Sequence, residues 1–209
     1  MSVLRVLGRQ SSINVRKVLW TCEEIGIDYV QEDWGTGFAS TRTPEFLALN
    51  PNGLVPVIES DDGILWESNT ICRYLASRHS RDDLLPSSPW RRALAERWMD
   101  WQATELNSAW RGAFQGLVRK DAAYAAPSII AASARDWNGT MEVLENTLST
   151  GGPFVTGDHF TLADILIGLS VNRWLRTPIE RPALSAVTAY FDRLKERPSF
   201  RRGGYDALP

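Results

Sequence analysis

Residues 49–79, LNPNGLVPVIESDDGILWESNTICRYLASRH, carry the clearest structural pattern in the chain. Two short runs rich in β-forming residues, 55–59 and 64–66, flank an Asp-Asp-Gly segment. An Asp-Gly pair between such runs predicts a tight hairpin, because Gly tolerates a positive φ. After Glu67, apolar residues recur at helical spacing, which predicts a helix with Ser68 as its N-cap. The stretch is therefore predicted to fold as strand, turn, strand and helix.

Two features of this stretch point to ligand binding. Pro56 stands where a strand begins, and a cis Val55–Pro56 bond would turn the backbone polar groups of Val55 outward, where an extended peptide can pair with them. Glu67 and Ser68 place a carboxylate, a hydroxyl and free amides at one helix N-terminus, which suits the ammonium and carboxylate of an amino acid. An edge-strand proline, a solvated Glu and an ordinary cap are the alternative explanation.

A Val-Pro turn, a hairpin and Glu-Ser opening a helix, in this order, resemble the glutathione-binding half of glutathione S-transferases. The resemblance covers nearly the whole chain. It implies an α/β thioredoxin-like N-terminal domain followed by an all-α C-terminal domain. It also implies glutathione as co-substrate, held by Leu54, Val55, Pro56, Glu67 and Ser68.

The segments before this stretch complete the α/β domain. Alternating residues over 3–7 and 27–33 predict two strands, and apolar residues at helical spacing over 15–25, closed by Gly26, predict the helix between them. A β-α-β unit of this length implies parallel strands with a right-handed crossover. With a short helix over 44–49, the element order becomes β-α-β-α-β-β-α, which is the thioredoxin-like order.

The loop before the first helix, GRQSSIN over residues 8–14, holds the candidate catalytic residues. In serine-type members of the resembled family (theta, tau, zeta) a hydroxyl in this loop contacts the glutathione sulfur, and that position maps onto Ser12. Nu-type members use a hydroxyl residue and an Asn two positions later, which map onto Ser12 and Asn14. Ser11 is the neighbouring alternative, and N-capping is the ordinary explanation for Ser and Asn here.

The chain departs from the family at Leu54. Many relatives carry Lys in this place, where it meets the glycyl carboxylate of glutathione. Either the affinity for that end of glutathione is weak, or another cation such as Arg42 supplies the charge.

Residues 80–89, SRDDLLPSSP, are predicted to link a domain of residues 1–79 to an all-helical domain of residues 90–209. Helices are predicted over 90–119, 122–148 and 183–197, and another follows a capping box formed by Thr161 and Asp164. The same F-T-x-A-D element occurs in the helical domain of glutathione S-transferases. Their acceptor pocket lies between the domains along the long helix, which makes Trp110 and Phe114 candidates; burial in the helical core is the alternative.

Composition excludes several classes of protein. A net charge of -2 over 209 residues gives no reason to expect nucleic acid or an anionic membrane as a partner, and no apolar run approaches the ~20 residues of a membrane span. The two cysteines, Cys22 and Cys72, form no C-x-x-C motif, and His79 and His159 have no ligand neighbours in the sequence. A cytoplasmic protein without a metal is therefore expected.

The chain is predicted to be a glutathione transferase that activates the glutathione thiol for attack on an apolar electrophile. Three alternatives remain: a glutathione-dependent disulfide or peroxide reductase, a zeta-like isomerase, and a non-catalytic ligand-binding protein of the same fold. The isomerase loop S-S-C-S-W-R is matched only at Ser11 and Ser12. Two apolar stripes on the helix over 90–119, together with family habit, predict a two-fold symmetric homodimer.

Overall fold

The computed structural model describes residues 3–205, with side chains through Gly203. The described residues form two compact units: one contains residues 3–85 and 197–205, and the other contains Pro86–Glu196. Residues 1–2 and 206–209 of the predicted domain ranges lie outside the described residues. Within residues 3–205, no helix is both long and apolar enough to cross a bilayer.

The first unit is built on a four-stranded mixed sheet with the strand order β2-β1-β3-β4. β1 and β2 are parallel, whereas β3 is antiparallel to both β1 and β4. The predicted thioredoxin-like order and the hairpin between β3 and β4 are confirmed. The elements are β1 (Leu4–Leu7), α1 (Ile13–Ile25), β2 (Tyr29–Glu32), α2 (Pro44–Leu49), β3 (Val57–Ser60), β4 (Gly63–Trp66) and α3 (Ser68–Arg78).

Local sequence explains the ends of the first two helices. Gly26 terminates α1 in the left-handed conformation, with φ 80°, and its N–H donates to the Cys22 carbonyl at 2.8 Å. Thr43 caps α2 by accepting from the Phe46 N–H, and Pro44 takes the first helical position, where a missing N–H costs nothing. Phe46 is thereby placed in the core beneath the sheet.

A segment at the far end of the chain packs on the outer face of α1. This C-terminal segment, residues 197–203, contains a short helix α9 (Pro198–Phe200) and the start of a π-helical turn (Arg201–Tyr205). The rings of Trp20 and Phe200 are 4.6 Å apart, and a Cβ on Gly203 would lie 2.8 Å from the Cα of Trp20. Both aromatic residues are fully buried. The sequence predicted a helix over 183–197 and no structure beyond it.

The Glu24 carboxylate holds the C-terminal segment in place. Arg197 donates to its two oxygens at 2.8 and 2.6 Å, the Ser199 hydroxyl donates to Oε1, and Trp20 Nε1 donates at 2.9 Å. Burial raises the pKa of Glu24, but these hydrogen bonds and the Arg197 charge outweigh it, so the pKa lies below its ordinary value. The carboxylate is thus ionised at neutral pH and bound to its partners.

The second unit is helical: α4 (Pro89–Trp101), α5 (Asn107–Leu117), α6 (Pro127–Gly151), α7 (Leu162–Arg176) and α8 (Ser185–Lys195). The single helix predicted over 90–119 is wrong in detail, since a π-helical turn (Gln102–Leu106) separates α4 from α5. The Asn107 N–H donates to the Gln102 carbonyl five residues earlier, the spacing that defines a π-helix. The buried Gln102 side-chain amide donates to Asn107 and to Ser170 on α7. The helix predicted over 122–148 begins only at Pro127, because proline suits the first helical position.

The capping box at the start of α7 is confirmed and extends beyond its own helix. Asp164 Oδ2 accepts from the Thr161 N–H at 2.8 Å, while Oδ1 accepts from the Val155 N–H and the Tyr190 hydroxyl, each at 3.1 Å. Burial raises the pKa of Asp164 to about 6, against the lowering effect of these donors. One carboxylate therefore joins α7, the preceding loop and α8.

Candidate active site

The register of the sheet brings three candidate segments to one edge. Leu7 pairs with Val57, and Val57 pairs with Trp66. Gly8, Pro56 and Glu67 are the next residues outward from this row. Because neighbouring strands lie about 4.8 Å apart, these three positions span about 10 Å.

The loop after β1 and the Val55–Pro56 turn are in contact through Gly8. Gly8 has φ 149°, and a Cβ there would lie 2.5 Å from Cγ2 of Val15 and 2.8 Å from Cβ of Val55. A larger residue would separate the loop from the turn. Gln31 also ties the loop to β2, because its Nε2 donates to the Gly8 carbonyl at 2.6 Å.

Ser12 and Ser11 differ in what their hydroxyl groups contact. Ser12 is the N-cap residue of α1, yet its side chain makes no capping hydrogen bond. It is half-buried, and among residues 3–205 its Oγ has no hydrogen-bond partner. The Ser11 Oγ instead accepts from Arg9 Nε at 3.1 Å. The capping explanation for the Ser12 hydroxyl therefore does not hold.

Asn14 lies in the first turn of α1, two positions after Ser12. Its side chain is half-buried and makes no hydrogen bond within the described residues. Ser12 and Asn14 thus present two polar groups at the N-terminus of α1, where the helix dipole favours negative charge.

The Val55–Pro56 peptide bond is cis. In the described part of the chain, neither the N–H nor the C=O of Val55 has a hydrogen-bond partner. The preceding turn is held by the buried Asn50, whose Nδ2 donates to the Leu54 carbonyl at 2.8 Å. The Leu54 side chain is 61% exposed.

Arg42 lies directly beside this turn. Its Nη1 donates to the Asn52 carbonyl at 3.2 Å, and a Cβ on Gly53 would lie 2.8 Å from the same nitrogen. Within residues 3–205 no carboxylate pairs with Arg42. A guanidinium with spare donors therefore stands against the turn that precedes Leu54.

The prediction that Ser68 caps α3 is wrong. Glu67 is the N-cap residue, with φ 75° and ψ 104°, and Ser68 is the first helical residue. The apolar spacing that begins at Ile71 does not specify which of the two polar residues starts the helix. At the first helical position the Ser68 N–H has no intrahelical acceptor, and within the described residues its hydroxyl has no partner either.

Glu67 is exposed and conformationally strained. A positive φ costs a residue other than Gly of order 1–3 kcal/mol, and such strain clusters at ligand-binding sites. Its carboxylate makes no ion pair or hydrogen bond within residues 3–205.

Trp110 and Phe114 lie together on α5 in the helical unit, with ring centroids 5.3 Å apart. Phe114 is 2% exposed, whereas Trp110 is half-buried and donates from Nε1 to Asn107. The Arg173 guanidinium lies 4.5 Å from the centroid of Trp110 and 4.1 Å from that of Phe114. Only Trp110 therefore keeps a sizeable surface for a ligand.

Cys22 and Cys72 are free thiols with no exposed surface. Burial raises the pKa of both, that of Cys72 to about 11. Over residues 3–205, no three His, Cys, Asp or Glu side chains are grouped as ligands for a metal ion.

The sequence did not single out Arg9 or Asn50, which organise the loops on either side of the site. The role of Asn50 could have been predicted from the sequence, because Asn side chains in Asn-Pro-Asn-Gly turns form hydrogen bonds with nearby backbone groups. The role of Arg9 could not have been predicted in this way, since its partners come from its own loop and from the turn after β2.

Known proteins are similar to this chain over most of its length. A family model described as the glutathione S-transferase N-terminal domain matches residues 2–77. Over 202 residues the chain is 37% identical to glutathione S-transferase GstB of Escherichia coli K12, covering 96% of this chain and 97% of that protein. It is 31% identical to glutathione S-transferase 3 of Zea mays, covering 97% of this chain and 93% of the maize protein.

A solved structure is also similar over its full length. The theta class glutathione S-transferase of Xanthomonas axonopodis pv. citri, with glutathione bound, is 38% identical, with a TM-score of 0.93 and complete coverage of both chains. The chain belongs to the glutathione S-transferase family and is a transferase.

Proposed function

We propose that this edge of the sheet binds glutathione and that Ser12 activates its thiol for attack on an electrophile. The observation that carries the proposal is the Ser12 hydroxyl, which stands at the N-terminus of α1 and has no partner within residues 3–205. A donor that its own helix does not use is available to a ligand. Ser11 is less suited, because its Oγ already binds Arg9.

One hydroxyl donor is enough to change the thiol. A free thiol has a pKa near ~8.5, so only a few per cent is nucleophilic thiolate at neutral pH. Each unit of pKa depression requires about 1.4 kcal/mol of preferential stabilisation of the anion. A hydrogen bond to a charged group supplies ~1.5–3 kcal/mol, and the dipole of α1 adds a smaller contribution of the same sign. Asn14 is proposed as a second donor.

The rest of glutathione matches the remaining groups at this edge. The backbone of Val55 pairs with the extended peptide, as in strand addition, next to Pro56. Glu67 receives the ammonium, and Ser68 with the first amides of α3 receives the adjacent carboxylate. Arg42 takes the glycyl carboxylate in place of the missing Lys. Its position beside the turn supports this role.

The second substrate is proposed to be an electrophile with an apolar body that packs on Trp110, with Phe114 behind it. The exposure of the two side chains supports this arrangement: the Trp110 indole is half-buried, whereas the Phe114 ring is buried. A parallel assay with a model electrophile, a peroxide and a mixed disulfide separates conjugation from reduction.

The protein is further proposed to be a homodimer. Each unit exposes large apolar side chains: Ile64 and Trp66 on edge strand β4 in the first, and Trp90 at the start of α4 in the second. Burial of such surface is a common reason for self-association.

Thiolate ultraviolet absorbance of the glutathione complex, followed against pH, tests the activation. Ser12→Ala should raise the pKa of bound glutathione by about one to two units, and Ser11→Ala is the matched control that should not. Asn14→Ala should give a smaller rise. If Ser12→Ala titrates like the wild type while Ser11→Ala shifts, the sulfur contact belongs to Ser11.

A further inference from the structure

Arg9 is a half-buried cation in the same loop as Ser12. The two residues are joined by a turn, in which the Ser12 N–H donates to the Arg9 carbonyl at 3.0 Å. The guanidinium therefore belongs to the segment that presents the proposed sulfur contact.

The position of the Arg9 side chain is fixed on two sides. Its Nε donates to Ser11 Oγ at 3.1 Å, and a Cβ on Gly35 would lie 2.6 Å from its Nη1. Gly35 leaves room for the guanidinium within a closed turn, in which the Gly35 N–H donates to the Ala39 carbonyl at 2.8 Å. The Arg9 N–H also donates to the Trp34 carbonyl at 3.0 Å. Such a side chain loses little entropy when a ligand binds.

The nearby carboxylates are engaged elsewhere. Glu32 pairs with Arg5 at 2.7 Å, and Asp33 accepts from Gln31 Nε2 at 2.9 Å. Within residues 3–205, Arg9 makes no ion pair with any carboxylate. A half-buried guanidinium has several donors in a planar fork, which suits a carboxylate or a similar anion.

Glutathione in the proposed binding mode has no carboxylate left to pair with Arg9. In the proposed binding mode its two carboxylates are met by Ser68 with the α3 amides and by Arg42. We infer that Arg9 binds an anionic group on the second substrate, so that the enzyme prefers electrophiles with a carboxylate next to the reacting carbon. The inference rests on the proposed function and narrows its substrate class.

Iodoacetate and iodoacetamide are suitable probes, because they have the same reacting carbon and differ in charge. With either probe the glutathione thiolate attacks the CH2 carbon, the S–C bond forms, and iodide leaves with the electrons of the C–I bond. The probes should spare the protein, since Cys22 and Cys72 have no exposed surface. The enzymatic rate with each probe is measured at saturating glutathione and is then divided by the uncatalysed rate of the same probe with glutathione.

The wild type should favour iodoacetate over iodoacetamide on this normalised scale. Arg9→Gln should lower the iodoacetate-to-iodoacetamide ratio of kcat/KM about tenfold, as expected for loss of a charge-assisted hydrogen bond. Arg9→Lys should retain part of the preference, because it keeps the charge but not the fork. Arg78→Gln is the matched control: Arg78 is an arginine at the C-terminal end of α3 that pairs with Asp62 outside the site, and its loss should leave the ratio unchanged.

A second measurement needs no variant. Added salt should lower the normalised iodoacetate rate of the wild type and leave the iodoacetamide rate nearly constant. An Arg9→Gln ratio equal to that of the wild type would overturn the inference. The inference would also be overturned if Arg9→Gln lowered both normalised rates equally and raised the pKa of the glutathione thiol, because Arg9 would then stabilise the thiolate. If the wild type conjugates neither probe nor any other electrophile, the proposed function itself fails.

Discussion

Glu67 is the residue at which the candidate site departs most from ordinary backbone geometry, with φ 75° at the start of α3. Its proposed ammonium contact exists before and during the reaction alike. Glu67→Gln should therefore weaken glutathione binding more than it lowers turnover at saturating glutathione. Calorimetry of glutathione binding and steady-state rates measure the two effects. Unchanged affinity would remove Glu67 from the site.

Arg42 and Leu54 together test how the glycyl end of glutathione is held. Arg42→Gln should weaken glutathione binding by roughly 1–2 kcal/mol, because a charged donor to a carboxylate is lost. Leu54→Lys should tighten binding and rescue the Arg42→Gln variant. Both effects should shrink as salt rises, since the groups are exposed. Salt-independent affinities in the wild type, both single variants and the double variant would show that neither position meets a carboxylate.

At the scale of elements, α7 depends on a single buried carboxylate. Asp164→Ala leaves the buried N–H groups of Val155 and Thr161 without an acceptor and removes one of the two acceptors of the Tyr190 hydroxyl. It should cost about 3 kcal/mol of unfolding free energy. Thr161→Ala should cost about 1 kcal/mol. Urea denaturation measures both, with the exposed Ser149→Ala as a control near zero. Equal losses from Asp164→Ala and Thr161→Ala would contradict this view of the capping box.

The attachment of the C-terminal segment to α1 should depend on pH. The pKa of Glu24 in the folded protein lies below its unfolded value of ~4.5, so its contribution to stability is complete above that value. The contribution is lost as the pH falls through the lower, folded pKa. Accordingly, the stability advantage of the wild type over Glu24→Gln should be large at neutral pH and shrink below about pH 4. Urea midpoints across this range supply the measurement, and a pH-independent difference would rule out the ionised Glu24 as the link.

At the scale of the whole molecule, exposed apolar side chains favour self-association. Trp90 is 73% exposed, an unusual position for such a large apolar side chain in a monomer. Sedimentation should give about twice the mass of one chain, and Trp90→Lys should weaken association. Val143→Lys on α6, which replaces another exposed apolar residue, serves as the control. A monomer at micromolar concentration would exclude the homodimer.

The predictable parts of this fold are those that short-range sequence determines. The hairpin between β3 and β4, the end of α1 at Gly26 and the cap of α7 each depend on residues within a few positions of one another. The π-helical turn and the C-terminal segment were missed because their partners lie far away: Gln102 binds Ser170, and Arg197 binds Glu24.

The candidate site likewise contains residues that the local sequence predicts and residues that it does not. Pro56 and Glu67 could be named from the local order of a Val-Pro turn, a hairpin and a Glu-Ser pair, although this order did not specify that Glu67, rather than Ser68, caps α3. The difference between Ser11 and Ser12 could not, because it depends on where Arg9 donates its Nε proton. The position of Arg9 in turn depends on the absence of a side chain at Gly35 in another loop.

The C-terminal segment has a consequence for the order in which the protein matures on the ribosome. The α/β unit reaches Leu85, yet the residues that cover Trp20 and neutralise Glu24 are translated about 110 residues later. At ~5–20 residues per second, the outer face of α1 stays bare for roughly ten seconds during synthesis. The unit that begins first is therefore finished last, and Trp20 lacks its contacts with Phe200 and Gly203 until those residues have been translated.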